Sequence, residues 1–203
     1  MKDLARTFKS AQTLLKARLK PLGFAYGAGN FRRSTSSGNI LTIHIQKSSR
    51  SSHEQLLVTV NYGVTSRRVL SATKGEDAVM GDVWDAHWSG RIEDADGRER
   101  WLSFSATDDA STIADQLWAI VEIKVLPELE SHTEDQLLLN EWLQGRGSGL
   151  TESQRLLYSL VLLQALGPAE KIPASVQALR RLVAGTGRER VVEAQLRMIG
   201  LNG

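Results

Sequence analysis

Between Leu41 and Val64 the chain twice alternates its residues with a period of two. Leu41, Ile43 and Ile45 alternate with Thr42, His44 and Gln46. Leu56, Val58, Val60, Tyr62 and Val64 alternate with Leu57, Thr59, Asn61 and Gly63. Successive side chains of a strand point to opposite faces, so this pattern predicts two half-buried strands joined by the polar loop from Lys47 to Glu54. A short strand from Phe31 to Thr35 precedes them and turns at Ser36-Ser37-Gly38-Asn39. Three such strands in succession read as an antiparallel meander. One face is apolar and needs a cover; the other is polar and free to stay wet.

The cover is legible upstream. Leu4, Phe8, Ala11, Leu15 and Leu19 recur at helical spacing, and Pro21 with Gly23 stops the helix. Lys2, Arg6, Lys9, Lys16 and Lys20 form a second, basic stripe. A basic amphipathic helix can lie on a membrane surface. Docking on the sheet is the preferred reading, because a short helix draws most of its stability from packing. A second strand group is expected where Trp84, Ala86, Trp88 and Ile92 alternate with Asp85, His87, Ser89 and Arg91. The chain then turns at Asp94-Ala95-Asp96-Gly97 and returns from Trp101 to Ser105. Trp84 and Trp88 share one face there and read as core. Arg67 to Gly81 shows no period and reads as a loop.

The remainder is helical. Asp108 or Asp109 caps a helix that buries Ile113, Leu117, Ile120 and Val121 and ends near Val125, before Pro127. Thr133 with Gln136 makes a capping box for a helix through Leu143. Gly145-Arg146-Gly147-Ser148-Gly149 reads as a linker. Thr151 with Gln154 opens an apolar helix containing Leu156, Leu157, Leu160, Val161 and Leu163, stopped by Gly167-Pro168. Two shorter helices follow, near Ala174–Ala184 and Arg188–Ile199. The fold class is α+β: an antiparallel meander packed by an N-terminal helix, with C-terminal helices. The expected division is an α+β domain over residues 1–145 and a helical extension over residues 150–203.

The absence of cysteine excludes disulfides, thiolate metal sites and a cysteine nucleophile. With no signal-peptide pattern in Met1–Lys20 and no long apolar run, a cytoplasmic protein without a membrane span is expected. Residues 1–50 hold ten Lys/Arg against one acid, while residues 101–150 hold two against nine. The plain reading pairs the two regions within the fold. Arg180, Arg181, Arg188, Arg190 and Arg197 lack interleaved aromatics, so no nucleic-acid partner is expected. His44, His53, His87 and His132 stand far apart without ligand spacing, so neither a metal nor a cofactor is expected. His44 and His87 read as surface histidines. The Asp94–Gly97 segment fails as a calcium loop, since the first and twelfth ligand positions would be Ile92 and Ser103. No catalytic signature stands out.

What remains is the polar face of the meander. Gln46, Asn61, Thr42, Thr59 and His44 share it, and amide side chains both donate and accept, which suits recognition. The competing reading has Gln46 and Asn61 merely holding loop geometry. Leu19-Lys20-Pro21-Leu22-Gly23-Phe24 with Phe31, Ile43-His44-Ile45-Gln46-Lys47-Ser48 and Val60-Asn61-Tyr62-Gly63-Val64 resemble segments of the bacterial domain-of-unknown-function family 4304. Arg91-Ile92, Trp101 and Leu126-Pro127-Glu128-Leu129 fit its later segments, although Trp101-Leu102 stands where the family often pairs two aromatics. The resemblance covers residues 1 to about 145 and implies an α+β fold without supplying a reaction. The resulting expectation is a non-catalytic protein-interaction module with a protein partner, of which an immunity- or antitoxin-like protein is one form. The alternative is a small-ligand-binding protein or cryptic enzyme using the polar face.

Overall fold

The computed structural model describes residues 4–78 and 82–201. Lys2 of the basic stripe and residues 79–81 of the expected loop lie outside the described residues. The chain forms an α+β fold: an N-terminal helix, a six-stranded antiparallel sheet and C-terminal helices. Its strands run in the order β1 (Ala25–Gly27), β2 (Asn30–Ser34), β3 (Ile40–Lys47), β4 (Gln55–Thr65) and β5 (Trp88–Arg91), and β6 (Leu102–Ser105) also pairs with β4. β2, β3 and β4 are the expected meander. β1 was not foreseen, because Ala25-Tyr26-Gly27 is too short to show a period. The chain divides into two compact units: Met1–Ser34, Leu41–Gly63 and Gly90–Ser131 in the first, and Thr35–Ile40, Val64–Ser89 and His132–Gly203 in the second.

In the first unit, helix α1 (Leu4–Leu19) buries Leu4, Phe8, Ala11, Leu15 and Leu19, the five residues of its apolar stripe. It lies against β1 and against helix α3 (Ala110–Ile120). The face that a membrane would take is therefore already used inside the unit. Gly23 ends the segment at φ +84°, in the left-handed region that glycine enters without a Cβ clash. Arg18 pairs with Asp115, and Arg33 with Glu130, so part of the basic N-terminus meets the acidic middle as expected. Along the core face, Leu56 stands opposite Phe104 and Val58 opposite Leu102. Asp109 caps α3 by accepting from Thr112 N.

That helix does not stop at Val125. A wide turn over Val121–Val125, with Leu126 N reaching back to Val121 O, leads into α4 (Leu126–Glu130). Pro127 sits in the first turn of α4, directly after the wide turn, which accommodates a residue without an amide hydrogen. Ile120 is half-buried rather than core.

In the second unit, Arg67–Lys74 is a helix, α2, not a loop. Ser66 caps it by accepting from Val69 N, and Val69 and Leu70 are its buried face. Two apolar residues in one turn are too few to reveal a helical period in sequence. The strand expected from Trp84 begins only at Trp88. Asp82 caps a 3-10 turn over Val83–Asp85, which breaks the alternation and leaves Trp84 57% exposed while Trp88 is 6% exposed. Helix α5 (Asp135–Leu143) is preceded by Glu134, which offers no side-chain cap. Gln136 donates to Asn140, while Thr133 O accepts from Ser37 and Asn39.

Thr151 and Gln154 do form their capping box on α6 (Glu152–Leu166), which buries Leu157, Leu160, Val161, Leu162 and Leu163. Helix α6 packs on α2, on α5 and on α7 (Ile172–Val183), and α7 packs on α8 (Glu189–Met198). The glycine-rich stretch 145–149 lies inside this unit. There Ser148 O accepts from Ser89 N and Ser148 Oγ donates to Ser89 O. No helix among the described residues is long and apolar enough to cross a membrane.

Candidate functional site

β3 and β4 bring Gln46 and Asn61 together. Asn61 Nδ2 donates to Gln46 Oε1 at 3.0 Å. Arg91, at the end of β5, completes the group: its Nε donates to Asn61 Oδ1 at 2.6 Å and its Nη2 reaches Gln46 Oε1 at 3.4 Å. The same guanidinium pairs with Glu99. Glu99 is held there by the turn after Asp94, where Gly97 N donates to Asp94 O and Glu93 bridges Glu99. The hairpin-turn reading of Asp94–Gly97 is thus correct.

Beside this group lies a half-open cleft of about 470 Å³, lined by Gln46, Ser48, Ser49, Arg50, Leu57, Glu99 and Trp101. The loop wall has a defined shape, since Ser48 Oγ accepts from Arg50 N, and Ser51 Oγ both accepts from Leu57 N and donates to Leu57 O. Next to Asn61 in β4, but in the opposite side-chain phase, Tyr62 packs on the one β5 position without a side chain. A Cβ at Gly90 would stand 2.7 Å from the Tyr62 ring. Burial, then the charges of Glu128 and Glu93, push the Tyr62 phenol up to about 12, so it stays neutral.

The other three expected site residues are elsewhere. Thr42 is 1% exposed and Thr59 0% exposed, with Thr59 Oγ1 lacking a hydrogen-bond partner. His44 stands half-buried beside the Gly29 carbonyl, 3.2 Å from its Nδ1. The polar face is therefore closed at Thr42 and Thr59 and partly open at His44 and Gln46. Alternation separates two faces; it does not say that the more polar one meets water. Threonine in particular is β-branched and fits a packed strand.

Arg91, Glu99, Trp101, Arg50 and Leu57 were missed as site residues. A signal for three of them existed. Arg91 and Trp101 lie two residues beyond the Glu93–Glu99 bridge, in one side-chain phase of the hairpin.

A second polar cluster lies wholly in the second unit. His87, expected on the surface, is 1% exposed. Its Nδ1 accepts from Ser66 N at 3.1 Å, and its ring meets Tyr158 at 4.7 Å between centroids. Burial first, and Lys74 second, lower its pKa to about 4. Ala86 and Trp88 on either side of His87 are buried too, so the segment is enclosed on both faces here. Asn39 works alongside: its Oδ1 accepts from Arg67 N, and its Nδ2 donates to Thr133 O and Asp135 Oδ1. His132 stacks on Trp88 at 3.8 Å. Among the described residues no cluster of His, Asp or Glu could hold a metal ion.

The profile of the family described as Domain of unknown function (DUF4304) matches residues 15–131, over half of the chain. The chain belongs to this family. The match is narrower at both ends than the 1–145 span over which the resemblance was read. Every cleft residue of this DUF4304 member falls inside it, whereas α5–α8 fall outside. No curated protein and no solved structure matches the chain.

Proposed function

We propose that this DUF4304 member is a non-catalytic protein-interaction module that receives a segment of its partner in the cleft between Gln46 and Trp101. The observation that carries this reading is how the polar face is occupied. Its strongest donor, Arg91, is already engaged by Glu99, Asn61 and Gln46. What faces the opening is a mixture of hydroxyl, guanidinium, aliphatic and indole groups at Ser49, Arg50, Leu57 and Trp101. Tryptophan and arginine are the residues most enriched where protein interfaces concentrate their binding energy. A reaction would call for a nucleophile activated by a base, and the one carboxylate of the lining, Glu99, is paired with Arg91. An immunity- or antitoxin-like role, as the resemblance implies, is one form of this reading. The cysteine-free composition supports a reducing, cytoplasmic setting.

A second reading rests on the cleft's size, which falls within the roughly 300–1,000 Å³ typical of small-molecule sites. One experiment separates the two. A photo-crosslinking residue is placed at Ser49, and in a control at exposed Glu170, in the native host. The interaction reading expects one protein adduct from position 49, absent from position 170 and lost with Trp101→Ala. A thermal shift with a metabolite library and no protein adduct at position 49 would replace it with the ligand reading.

A further inference from the structure

The hydrogen bonds around Arg91 fix more than the shape of the site; they fix its polarity. A guanidinium has only donors. The Asn61 atom 2.6 Å from Arg91 Nε is therefore the amide oxygen, and the opposite atom, Nδ2, is a donor. That donor meets Gln46, so the Gln46 atom facing it is the oxygen, which also takes Arg91 Nη2. By elimination Gln46 turns its Nε2 hydrogens to whatever enters the cleft. The cation thus sets the orientation of an amide on another strand, one residue removed.

The rest of the lining has the same sign. Arg50 carries no ion pair among the described residues, and Trp101 offers only an indole N–H. Ser48 Oγ already accepts from Arg50 N and keeps its hydroxyl hydrogen. The single carboxylate, Glu99, is matched by Arg91. Counting Arg50, Arg91 and Glu99, the site has a net charge of one positive unit and several converging donors. Such a site favours an anionic acceptor, because hydrogen bonds to a charged group are about twice as strong as neutral ones.

Resting on the protein-binding reading above, we propose that the cleft takes the carboxylate of an Asp or Glu side chain on the partner polypeptide. Gln46 Nε2 and Arg50 hold the carboxylate, and Leu57 with Trp101 packs against the chain that carries it. Arg91 is a positioning residue in this arrangement. It touches no ligand and acts through Asn61 and Gln46.

The test uses the full chain labelled with nitrogen-15, titrated with N-acetyl-glutamate N-methylamide and with its neutral glutamine analogue. The expected result is saturable movement of the Gln46 side-chain amide and the Trp101 indole signals, about tenfold weaker for the glutamine analogue. Gln46→Glu keeps a partner for Arg91 and so preserves the fold, but removes the donors and should abolish the response. Arg91→Lys keeps the charge but loses the planar fork that bonds Asn61 and Gln46, so it should weaken the response while broadening the Gln46 amide signals, which a purely electrostatic role for Arg91 would not give. Equal response to both probes, no saturable shift, or an unaffected Gln46→Glu variant would each overturn the proposal. If the Ser49 crosslink to a protein persists in Gln46→Glu, the carboxylate assignment falls and the protein-binding reading stands. If no crosslink forms yet the glutamate probe saturates, the protein-binding reading falls instead.

Discussion

Each compact unit holds a buried polar cluster, and the two end differently. In the second unit His87 accepts from Ser66 N, while Asn39 satisfies Arg67 N, Thr133 O and Asp135. Most of these bonds run between backbone and side chain, so the cluster is largely closed; they fasten the start of α2 to the segment before β5 and to the turn before β3, and that turn to the start of α5. In the first unit the chain of bonds runs from Glu99 through Arg91 and Asn61 to Gln46 and stops at a cleft. Groups bonded to backbone are spent on the fold, although Arg67 and Asp135 at the edge of this cluster also line a cleft of about 410 Å³. The open network delivers an oriented donor to solvent. Burial and hydrogen bonding alone do not separate structural from functional polar residues; where the network terminates does.

The largest effect that would break this comparison lies in the apolar frame of the closed side. Leu160, fully buried in α6, should cost about 2–5 kcal/mol on replacement by alanine, read by urea denaturation. A cost below about 1 kcal/mol would mean that the helices hold the His87 cluster only loosely.

Acid should find the closed cluster next. The folded pKa of His87 lies near 4 against 6.5 for the free side chain, so the unfolded chain binds the extra proton. Stability from this group is complete above pH 6.5 and declines as pH falls toward 4, by on the order of 2–3 kcal/mol in all. His87→Gln retains an acceptor for Ser66 N and should flatten that part of the stability profile. An unchanged slope in the variant would show that His87 titrates as an ordinary surface histidine.

Gly90→Ala probes the packing of β5, the strand that carries Arg91, on β4. The new Cβ meets the Tyr62 ring, and overpacking of this kind costs about 1–3 kcal/mol. Thermal unfolding reads it, and a neutral outcome would mean that the Tyr62 ring yields. Smallest of all, Arg50→Ala should change stability by less than about 0.5 kcal/mol, since Arg50 is exposed at the rim. A larger loss would make the cleft a structural feature like its counterpart.

Local chemistry made much of this readable in one dimension. The five buried residues of α1, the β2–β3–β4 meander, the Asp94–Gly97 turn and the Thr151–Gln154 box each depend on residues a few positions apart. Helical and strand periods report such short-range geometry directly. The Gln46–Asn61 pair was legible for the same reason, because strand parity puts both on one face. Parity fails where a neighbour in space decides. It could not tell that Thr42, Thr59 and His87 are enclosed, that a 3-10 turn exposes Trp84, or that Val121–Val125 widens to admit Pro127. Nor could it join Arg91 to its partners Gln46 and Asn61, which lie 45 and 30 positions away. The sequence by itself determined which faces are apolar, since that follows from side-chain spacing. Which polar residues meet solvent, and which amide hydrogen is turned toward it, depends on burial and on hydrogen bonds between distant segments, and only the tertiary structure decided those.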